Sequence, residues 1–174
     1  MTDVKSGPVI EIRDLRIEAK ANDQWSQIVR GVSLTIGKGE VLGLVGESGA
    51  GKSTIGLAAL GYLRPGARAT GGSVRLMGTD LLTIPEEERR PLRGTKVAYV
   101  AQSAQAAFNP VHRLMDQITM VAVDRGGLTR EEAAKRAVDL FTALQLPDPQ
   151  NFGARYPHQV SGGQLQRAMV AMAM

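Results

Sequence analysis

The fold of this chain is decided by the stretch GESGAGKST, residues 46–54. It follows VLGLV, residues 41–45, a continuous apolar run that is typical of a strand covered on both faces in a parallel sheet. A helix-compatible stretch over about residues 52–63 comes next and is predicted to end at Pro65-Gly66. A buried strand, a glycine-rich loop and a helix in this order predict an α/β fold.

The loop matches the pattern G-x-x-x-x-G-K-[S/T], which binds phosphate groups when it joins a strand to a helix. Its glycines let backbone N–H groups converge on one anion, and the helix start adds further N–H groups. We expect Lys52 to reach the β- and γ-phosphates of a nucleotide and the Ser53 hydroxyl to ligate Mg²⁺. By itself the loop does not separate kinases, GTPases, motor-like ATPases and transporters. The predicted nucleotide contacts are Gly46, Glu47, Ser48, Gly49, Ala50, Gly51, Lys52, Ser53 and Thr54.

Composition limits the class of protein further. Hydrophobic residues make up 43% and aromatic residues 4%, so we expect a globular core of aliphatic side chains. The net charge of +4 is spread in mixed-sign groups such as Glu86–Arg90, which is typical of a solvated surface and not of a nucleic-acid-binding stripe. The sequence has no cysteine, which excludes disulfides and thiolate metal sites. With no signal-peptide pattern and no apolar run near the ~20 residues of a membrane span, a cytosolic location is expected.

Periodicity predicts strands near the N-terminus. Apolar residues alternate with polar ones over Val9–Ile17 and Ile28–Ile36, which predicts an antiparallel hairpin turning near Ala21–Gln24. A short strand is predicted over Gly71–Leu76. The run KVAYVA, residues 96–101, is predicted to be another apolar strand.

Helices are predicted from Phe108 onward. Thr129 and Glu132 have the spacing of a capping box at the start of an amphipathic helix. Met120–Asp124 imitates an apolar strand that ends in aspartate, but Arg125-Gly126-Gly127 after it is typical of a turn that ends a helix. We therefore interpret Met120–Asp124 as helical.

The last fourteen residues, SGGQLQRAMVAMAM, begin with a second anion-binding pattern. A serine N-cap followed by two glycines exposes backbone N–H groups at a helix start. The segment SGGQLQR resembles the signature motif of ABC-type ATPases. In that family the motif contacts the γ-phosphate of ATP that is held by the P-loop of a different subunit. The resemblance therefore implies a head-to-tail dimer with a second ATPase subunit, and nucleotide contacts from Ser161, Gly162, Gly163 and Gln164.

Gln102 follows the predicted strand 96–101 directly. The carboxyl ends of parallel strands form the edge of an open α/β sheet at which ligands bind. Gln102 is similar to the Q-loop glutamine of the same family, which reaches Mg²⁺ or the attacking water. The resemblance thus implies catalytic roles for Lys52 and Gln102, and Mg²⁺ ligation by Ser53 and Gln102.

Three further segments narrow the resemblance: GLVGESG at 43–49, AFNP at 107–110 and YPHQV at 156–160. They resemble the ATP-binding subunits of oligopeptide, dipeptide and nickel importers. That resemblance implies an ATPase that uses ATP and Mg²⁺, lies peripherally on the cytoplasmic side of a bacterial inner membrane, and docks on integral membrane permease subunits. Asn109–Met115 is the expected docking segment, and no nucleic-acid partner is expected.

The resemblance also implies an internal organisation: a P-loop NTPase core of the ABC ATPase type, an N-terminal antiparallel β subdomain and an α-helical subdomain. Residues of about 1–40 and 71–79 are assigned to the β subdomain. Residues 41–66 and 94–103 are assigned to the P-loop core, and residues 104–174 to the helical subdomain that ends in the signature helix.

The sequence departs from the family pattern in two ways. Family members usually stack an aromatic residue on adenine, where this chain has Ala19; Trp25 is a candidate replacement or a residue that covers the hairpin. The family's apolar strand ending in Asp-Glu, with its C-terminal core strands and switch histidine, comes after the signature helix and beyond Met174. We therefore expect residues 1–174 alone to bind nucleotide and hydrolyse little.

Three other classes compete with the importer interpretation, and one of them, an inert nucleotide-binding module, is left open by residues 1–174. A soluble ABC-type ATPase that acts on nucleic acid or ribosomes would share the P-loop and the signature, but basic stripes or long insertions are expected in it and are not seen. A small-molecule kinase or GTPase would share the P-loop, and the segment SGGQLQR argues against it.

Overall fold

The computed structural model describes residues 7–47, 49 and 51–174. The predicted contacts Ser48 and Ala50 lie outside the described residues. The chain divides into two compact units, Met1–Arg90 and Pro91–Met174. Each unit has its own buried core, and the two are described in turn.

The first unit contains the predicted hairpin. Strand β1 covers Ile10–Ala21 and pairs antiparallel with strand β2, Gln24–Ile36. The connecting residues Asn22 and Asp23 have φ of 50° and 60°, as in the tight turns that match the twist of paired strands. The alternation in the sequence therefore predicts this hairpin correctly.

Two more strands complete the sheet. Strand β3 covers Ala67–Leu76 and pairs with β1, and the short strand β4, Thr79–Asp80, pairs with β3. The order in the sheet is β2-β1-β3-β4, which places β2 at one edge. Strand β3 begins earlier than the predicted Gly71, because Ala67–Ala69 continues the pairing with β1. One face of the sheet carries the buried residues Ile10, Ile12, Leu15, Ile17, Val29, Val74 and Leu76.

Helices make up most of the remaining regular structure. Their bounds are α1 Lys52–Ala58, α2 Glu86–Arg89, α3 Ala104–Ala107, α4 Leu114–Asp124, α5 Arg130–Ala143, α6 Pro149–Phe152 and α7 Gly162–Ala173, with 3₁₀ turns at Arg90–Leu92 and Pro157–Gln159. Helix α4 includes Met120–Asp124, which confirms that this segment is not a strand. Helix α5 begins at the predicted capping box of Thr129 and Glu132.

Helices α3 to α7 pack around one apolar core in the second unit. Phe141 and Phe152 are fully buried and meet edge to face, with 5.1 Å between ring centroids. Helix α7 contributes Leu165, Ala168 and Met169, which are at most 1% exposed. This packing fixes the direction in which the start of α7 points. Among the described residues, no helix is both long enough and apolar enough to span a membrane.

Two predicted strands are wrong. Residues 41–45 and 96–101 run without strand pairing, apart from one isolated parallel bridge between Arg93 and Val97. An apolar run shows that a segment is suited to a sheet, whereas a strand exists only where a neighbouring strand accepts its hydrogen bonds. Among the described residues no strand pairs with either segment, and Val41 and Val45 are 94% and 99% exposed.

The predicted helix over residues 52–63 is also too long, because α1 ends at Ala58. Gly61 adopts φ of 64°, and the Tyr62 N–H turns back to the Leu57 carbonyl oxygen at 3.1 Å. A left-handed glycine that closes the last turn is a common helix end. The helix therefore ends at Ala58, and the left-handed Gly61 closes the turn after it, well before the Pro65-Gly66 pair.

Candidate functional site

The glycine-rich loop lies at the start of α1 in the first unit. Gly46, Glu47 and Gly49 are exposed, and Gly51 is the residue that caps the helix. The N–H groups of the first helical residues have no acceptor inside a helix, so they are available to an anion. Ile55 and Leu57, each 8% exposed, anchor the other side of α1 in the core. The phosphate-binding pattern therefore occupies an accessible helix start.

The Lys52 side chain folds back over this loop. Its Nζ donates to the carbonyl oxygens of Gly46 and Glu47, at 2.7 and 2.5 Å. An ammonium group has three donors, so these two contacts to described residues leave it able to approach a phosphate from inside the loop. The structure therefore places the Lys52 ammonium group beside the backbone of Gly46 and Glu47.

Gly51 packs the loop against the edge strand β2. It has φ of 79°, and a Cβ added there would lie 2.8 Å from the Ile28 carbonyl oxygen and 3.4 Å from Val29 Cγ2. Any larger residue would have to push the loop away from the strand. Gly49 and Ile55 line a cavity of about 350 Å³ between this loop and β2.

A second exposed helix start is formed by Ser161 and α7 in the second unit. The Ser161 hydroxyl accepts from the Gln164 N–H at 3.3 Å, and the Gln164 side chain accepts from the Ser161 N–H at 3.0 Å. This capping box leaves Ser161, Gly162 and Gly163 exposed, with no atom within 4 Å of a Cβ added at either glycine. The start of α7 at Ser161–Gly163 is therefore exposed and is not packed against the interior of the chain.

Gln102 is exposed and lies between the unpaired segment 98–101 and α3. It does not follow a strand, contrary to prediction. The residue before it, Ala101, accepts a hydrogen bond from Gln166 Nε2 on α7 at 3.1 Å. Gln102 and the signature helix therefore belong to one connected network in the second unit, whereas Lys52 and its loop belong to the first unit.

Ala19 and Trp25 lie on opposite faces of the sheet. Ile17 pairs with Val29 and both are buried, so Ala19, two residues further along β1, shares this face. Trp25 pairs with Lys20, whose side chain alternates to the other face.

The ring of Trp25 makes a cation–π contact with Arg68. The Arg68 guanidinium lies 4.0 Å from the ring centroid, and its Nη2 is 3.0 Å from a Glu18 carboxylate oxygen. Gly51 of the phosphate loop lies near the Val29 side chain, on the face that Trp25 does not occupy. These contacts favour the interpretation of Trp25 as a residue that covers the hairpin.

Sequence reasoning missed two organising side chains. Arg167 Nη1 donates to the carbonyl oxygens of Leu144 and Gln145, at 3.1 and 2.7 Å, and ties α7 to the end of α5. The Gln117 amide bonds both backbone groups of Asn109, at 2.8 and 3.0 Å. Arg167 makes hydrogen bonds to residues more than twenty positions away in the sequence. No local sequence pattern predicts the contacts of Arg167 or those of Gln117.

Two exposed helix starts characterise this chain. One follows a glycine-rich loop that contains a lysine, and the other is capped by a serine before two glycines. Both are typical of a nucleotide-binding class of protein. The family model described as "ABC transporter" matches residues 29–174, and the chain belongs to that family. The family assignment and the predicted fold class are thereby confirmed.

Two relatives show what the chain is similar to. It is 34% identical over 171 residues to a probable peptide ABC transporter ATP-binding protein, y4tR, of Sinorhizobium fredii, covering 98% of this chain and 51% of that protein. It is also 34% identical over 166 residues to the oligopeptide transport ATP-binding protein OppD of Salmonella typhimurium, covering 95% and 49%. The chain thus spans about half the length of the curated relatives it matches.

Solved structures give the same fold. The dimeric structure of MJ0796, a bacterial ABC transporter cassette, superposes with a TM-score of 0.80 at 26% identity, over 95% of this chain and 68% of that one. A post-hydrolysis dimer of MJ0796 bound to ADP and Pi gives a TM-score of 0.78 at 23% identity, over the same shares of the two chains.

Proposed function

We propose that this chain is the ATP-binding part of a transporter subunit, in which its glycine loop and its signature helix contribute to two different copies of a composite ATP site. The exposure of Ser161–Gly163 carries the proposal, because a helix start that faces open space is available to a nucleotide on a partner. The names of the peptide-transport relatives support import of peptides or related solutes, driven by ATP.

The chemistry of the loop fits a nucleotide triphosphate. Lys52 provides a cation beside exposed loop amides, and such a nest favours an anion. The Ser53 hydroxyl is exposed at the second position of α1 and suits Mg²⁺, which prefers oxygen ligands and retains several waters. We assign Gln102 a role towards the same Mg²⁺ or the attacking water. The matched motifs hold no general base, so residues 1–174 alone are proposed to hydrolyse ATP slowly.

The docking surface for permease subunits is proposed at Asn109–Met115. The Gln117 amide holds the start of this segment and also donates to the His112 carbonyl oxygen at 3.0 Å. Val111 lies on the segment with 70% of its surface exposed. An exposed apolar side chain on a segment that is held by hydrogen bonds from Gln117 suits contact with a partner. This contact would keep the protein peripheral, on the cytoplasmic side of an inner membrane.

Calorimetric titration with Mg·ATP tests the loop. Replacing Lys52 with alanine removes the cation from the glycine-rich loop. We therefore expect the affinity for Mg·ATP to fall at least about tenfold. Lys38→Ala is the matched control, because Lys38 is an exposed lysine in the turn after β2. Equal affinities for the two variants would remove the basis of the proposal.

Mixing two defective variants tests the composite site. Lys52→Ala damages the loop, and Gly163→Glu places a carboxylate at the start of α7, in space that is open. A head-to-tail pair containing one of each retains a single intact site, so ATP should drive association of the mixture but of neither variant alone. Sedimentation velocity measures this, and a mixture that associates no better than its components contradicts the head-to-tail arrangement.

A further inference from the structure

The side chains behind the exposed start of α7 reach back to distant parts of the second unit. Gln166 donates through Nε2 to the Ala101 carbonyl oxygen at 3.1 Å, across 65 positions of sequence. Gln166 is partly buried, and Ala101 packs against the core cluster that includes Leu165 and Ala168. The hydrogen bond therefore lies at the border of the core, where solvent competes with it less than at an open surface.

The Ala101 carbonyl that accepts this hydrogen bond is joined directly to the backbone nitrogen of Gln102. The carbonyl of Ala101 and the N–H of Gln102 belong to one planar peptide unit. A donor that fixes the carbonyl oxygen therefore also fixes the direction of that N–H and the position from which the Gln102 side chain starts.

Other contacts hold Gln102 from one side only. Downstream, Ser103 caps α3 by accepting from the Ala106 N–H at 3.4 Å, and Ala104 is buried. Upstream, residues 98–100 have no strand partner among the described residues, and Tyr99 and Val100 are 50% and 40% exposed. Among the described residues, the bond from Gln166 therefore orients the peptide unit immediately before Gln102, together with the packing of Ala101 against the core.

The same helix carries the exposed signature amides. Gly162 and Gln166 are four residues apart, which is about one helical turn, or ~6 Å along the axis. A helix held by the buried residues Leu165, Ala168 and Met169 moves as a rigid body over so short a distance. The hydrogen bond from Gln166 therefore connects the start of this helix to the Ala101 carbonyl within one helical turn.

We propose that Gln166 is a positioning residue that couples the signature helix to Gln102 through the Ala101–Gln102 peptide unit. The coupling rests on the proposed function, since it links nucleotide contact at Ser161–Gly163 to a side chain assigned to the nucleotide chemistry. Gln166 itself touches no nucleotide in this proposal.

Amide hydrogen exchange of the whole chain tests the coupling. Gln166→Met keeps the length of the side chain and removes its donor to the Ala101 carbonyl oxygen. Because the peptide unit that carries the Gln102 N–H then opens more often, we expect the Gln102 amide to exchange about fivefold faster. Exchange within α7 and the melting temperature should stay unchanged. Gln105→Met is the matched control, because Gln105 is exposed on α3 and makes no hydrogen bond to the described residues.

A second variant and a second readout make the result decisive. Gln166→Glu has nearly the shape of glutamine but, when ionised, cannot donate, so it should reproduce the faster exchange if the methionine variant fails to fold. In the unaltered chain, Mg·ATP should slow exchange at Gln102 as well as at Lys52–Thr54, and Gln166→Met should abolish the first effect alone. Absence of ATP protection at Lys52–Thr54 would count against the proposed function, whereas an unchanged Gln102 rate in both variants would falsify the coupling.

Discussion

Two residues of the hairpin, Ala19 and Trp25, are the positions at which stacking on a nucleotide base can be tested. Ala19 occupies the face of the sheet that it shares with buried Ile17 and Val29, and alanine offers no ring for stacking. Trp25 occupies the other face, beneath Arg68. If the proposed nucleotide site is correct, the described contacts of these two positions provide no stacking partner for the base, and binding would depend chiefly on the phosphate contacts proposed for Lys52 and its loop.

An aromatic residue at Ala19 should strengthen ATP binding. Stacking of a base on an aromatic ring is worth about 1–3 kcal/mol, so Ala19→Tyr should raise ATP affinity about tenfold or more. Lys20→Tyr is the control, since Lys20 pairs with Trp25 and lies on the opposite face. Calorimetry measures both variants, and equal gains at the two positions would contradict the assignment of faces.

Loss of Trp25 should leave ATP affinity within about twofold of the original value. Its ring contacts Arg68, which is paired with Glu18, and these exposed contacts on the surface of the hairpin stabilise local structure weakly. Trp25→Ala measured by the same titration checks this. A loss of tenfold or more would show that the ring stacks on the base after all.

At the scale of single elements, local patterns predict structure well and long-range pairing poorly. The hairpin turn, the Thr129–Glu132 box and the serine cap of α7 each depend on residues within a few positions, and each is present. The runs 41–45 and 96–101 failed as strands because their state depends on partners elsewhere. Gln166 could not have been linked to Ala101 from the sequence, because nothing local marks a contact 65 positions away.

The capping box of α5 gives a prediction about pH. A hydrogen bond from the Thr129 backbone N–H, and secondly one from its hydroxyl, lower the pKa of the Glu132 carboxyl below its usual value. A lowered pKa in the folded state contributes stability above the ordinary glutamate pKa, and this stability is lost as pH falls through the folded-state pKa.

Glu132→Gln should therefore melt at a lower temperature than the unaltered chain at pH ~7, with the difference shrinking at pH ~3. Thermal unfolding followed by circular dichroism measures this. Glu131→Gln is the control, because Glu131 is an exposed neighbour that makes no hydrogen bond to Thr129 among the described residues. A deficit of the same size at both pH values would assign the effect to packing and not to the charge of Glu132.

At the scale of the whole molecule, the segment 41–45 exposes four large apolar side chains, Val41, Leu42, Leu44 and Val45. Val41 and Val45 are almost fully exposed, and no backbone hydrogen bond involves residues 41–45 among the described part of the chain. An apolar segment whose backbone N–H and C=O groups have no partner can pair with another chain. In the isolated chain 1–174, the segment 41–45 is therefore a candidate surface for self-association, directly before the glycine-rich loop in the sequence.

We expect the isolated chain to associate without ATP at micromolar concentration, and Val41→Lys to shift it towards monomer, because a charge on an unpaired edge opposes strand addition. Val111→Lys is the matched control, since Val111 is 70% exposed on a different segment. Sedimentation equilibrium without nucleotide separates this association from the ATP-driven pairing proposed for the signature helix. A chain that stays monomeric, or one that dissociates equally with either lysine, would show that segment 41–45 is not the contact. If Val41→Lys associates only after ATP is added, the signature surface alone is the contact.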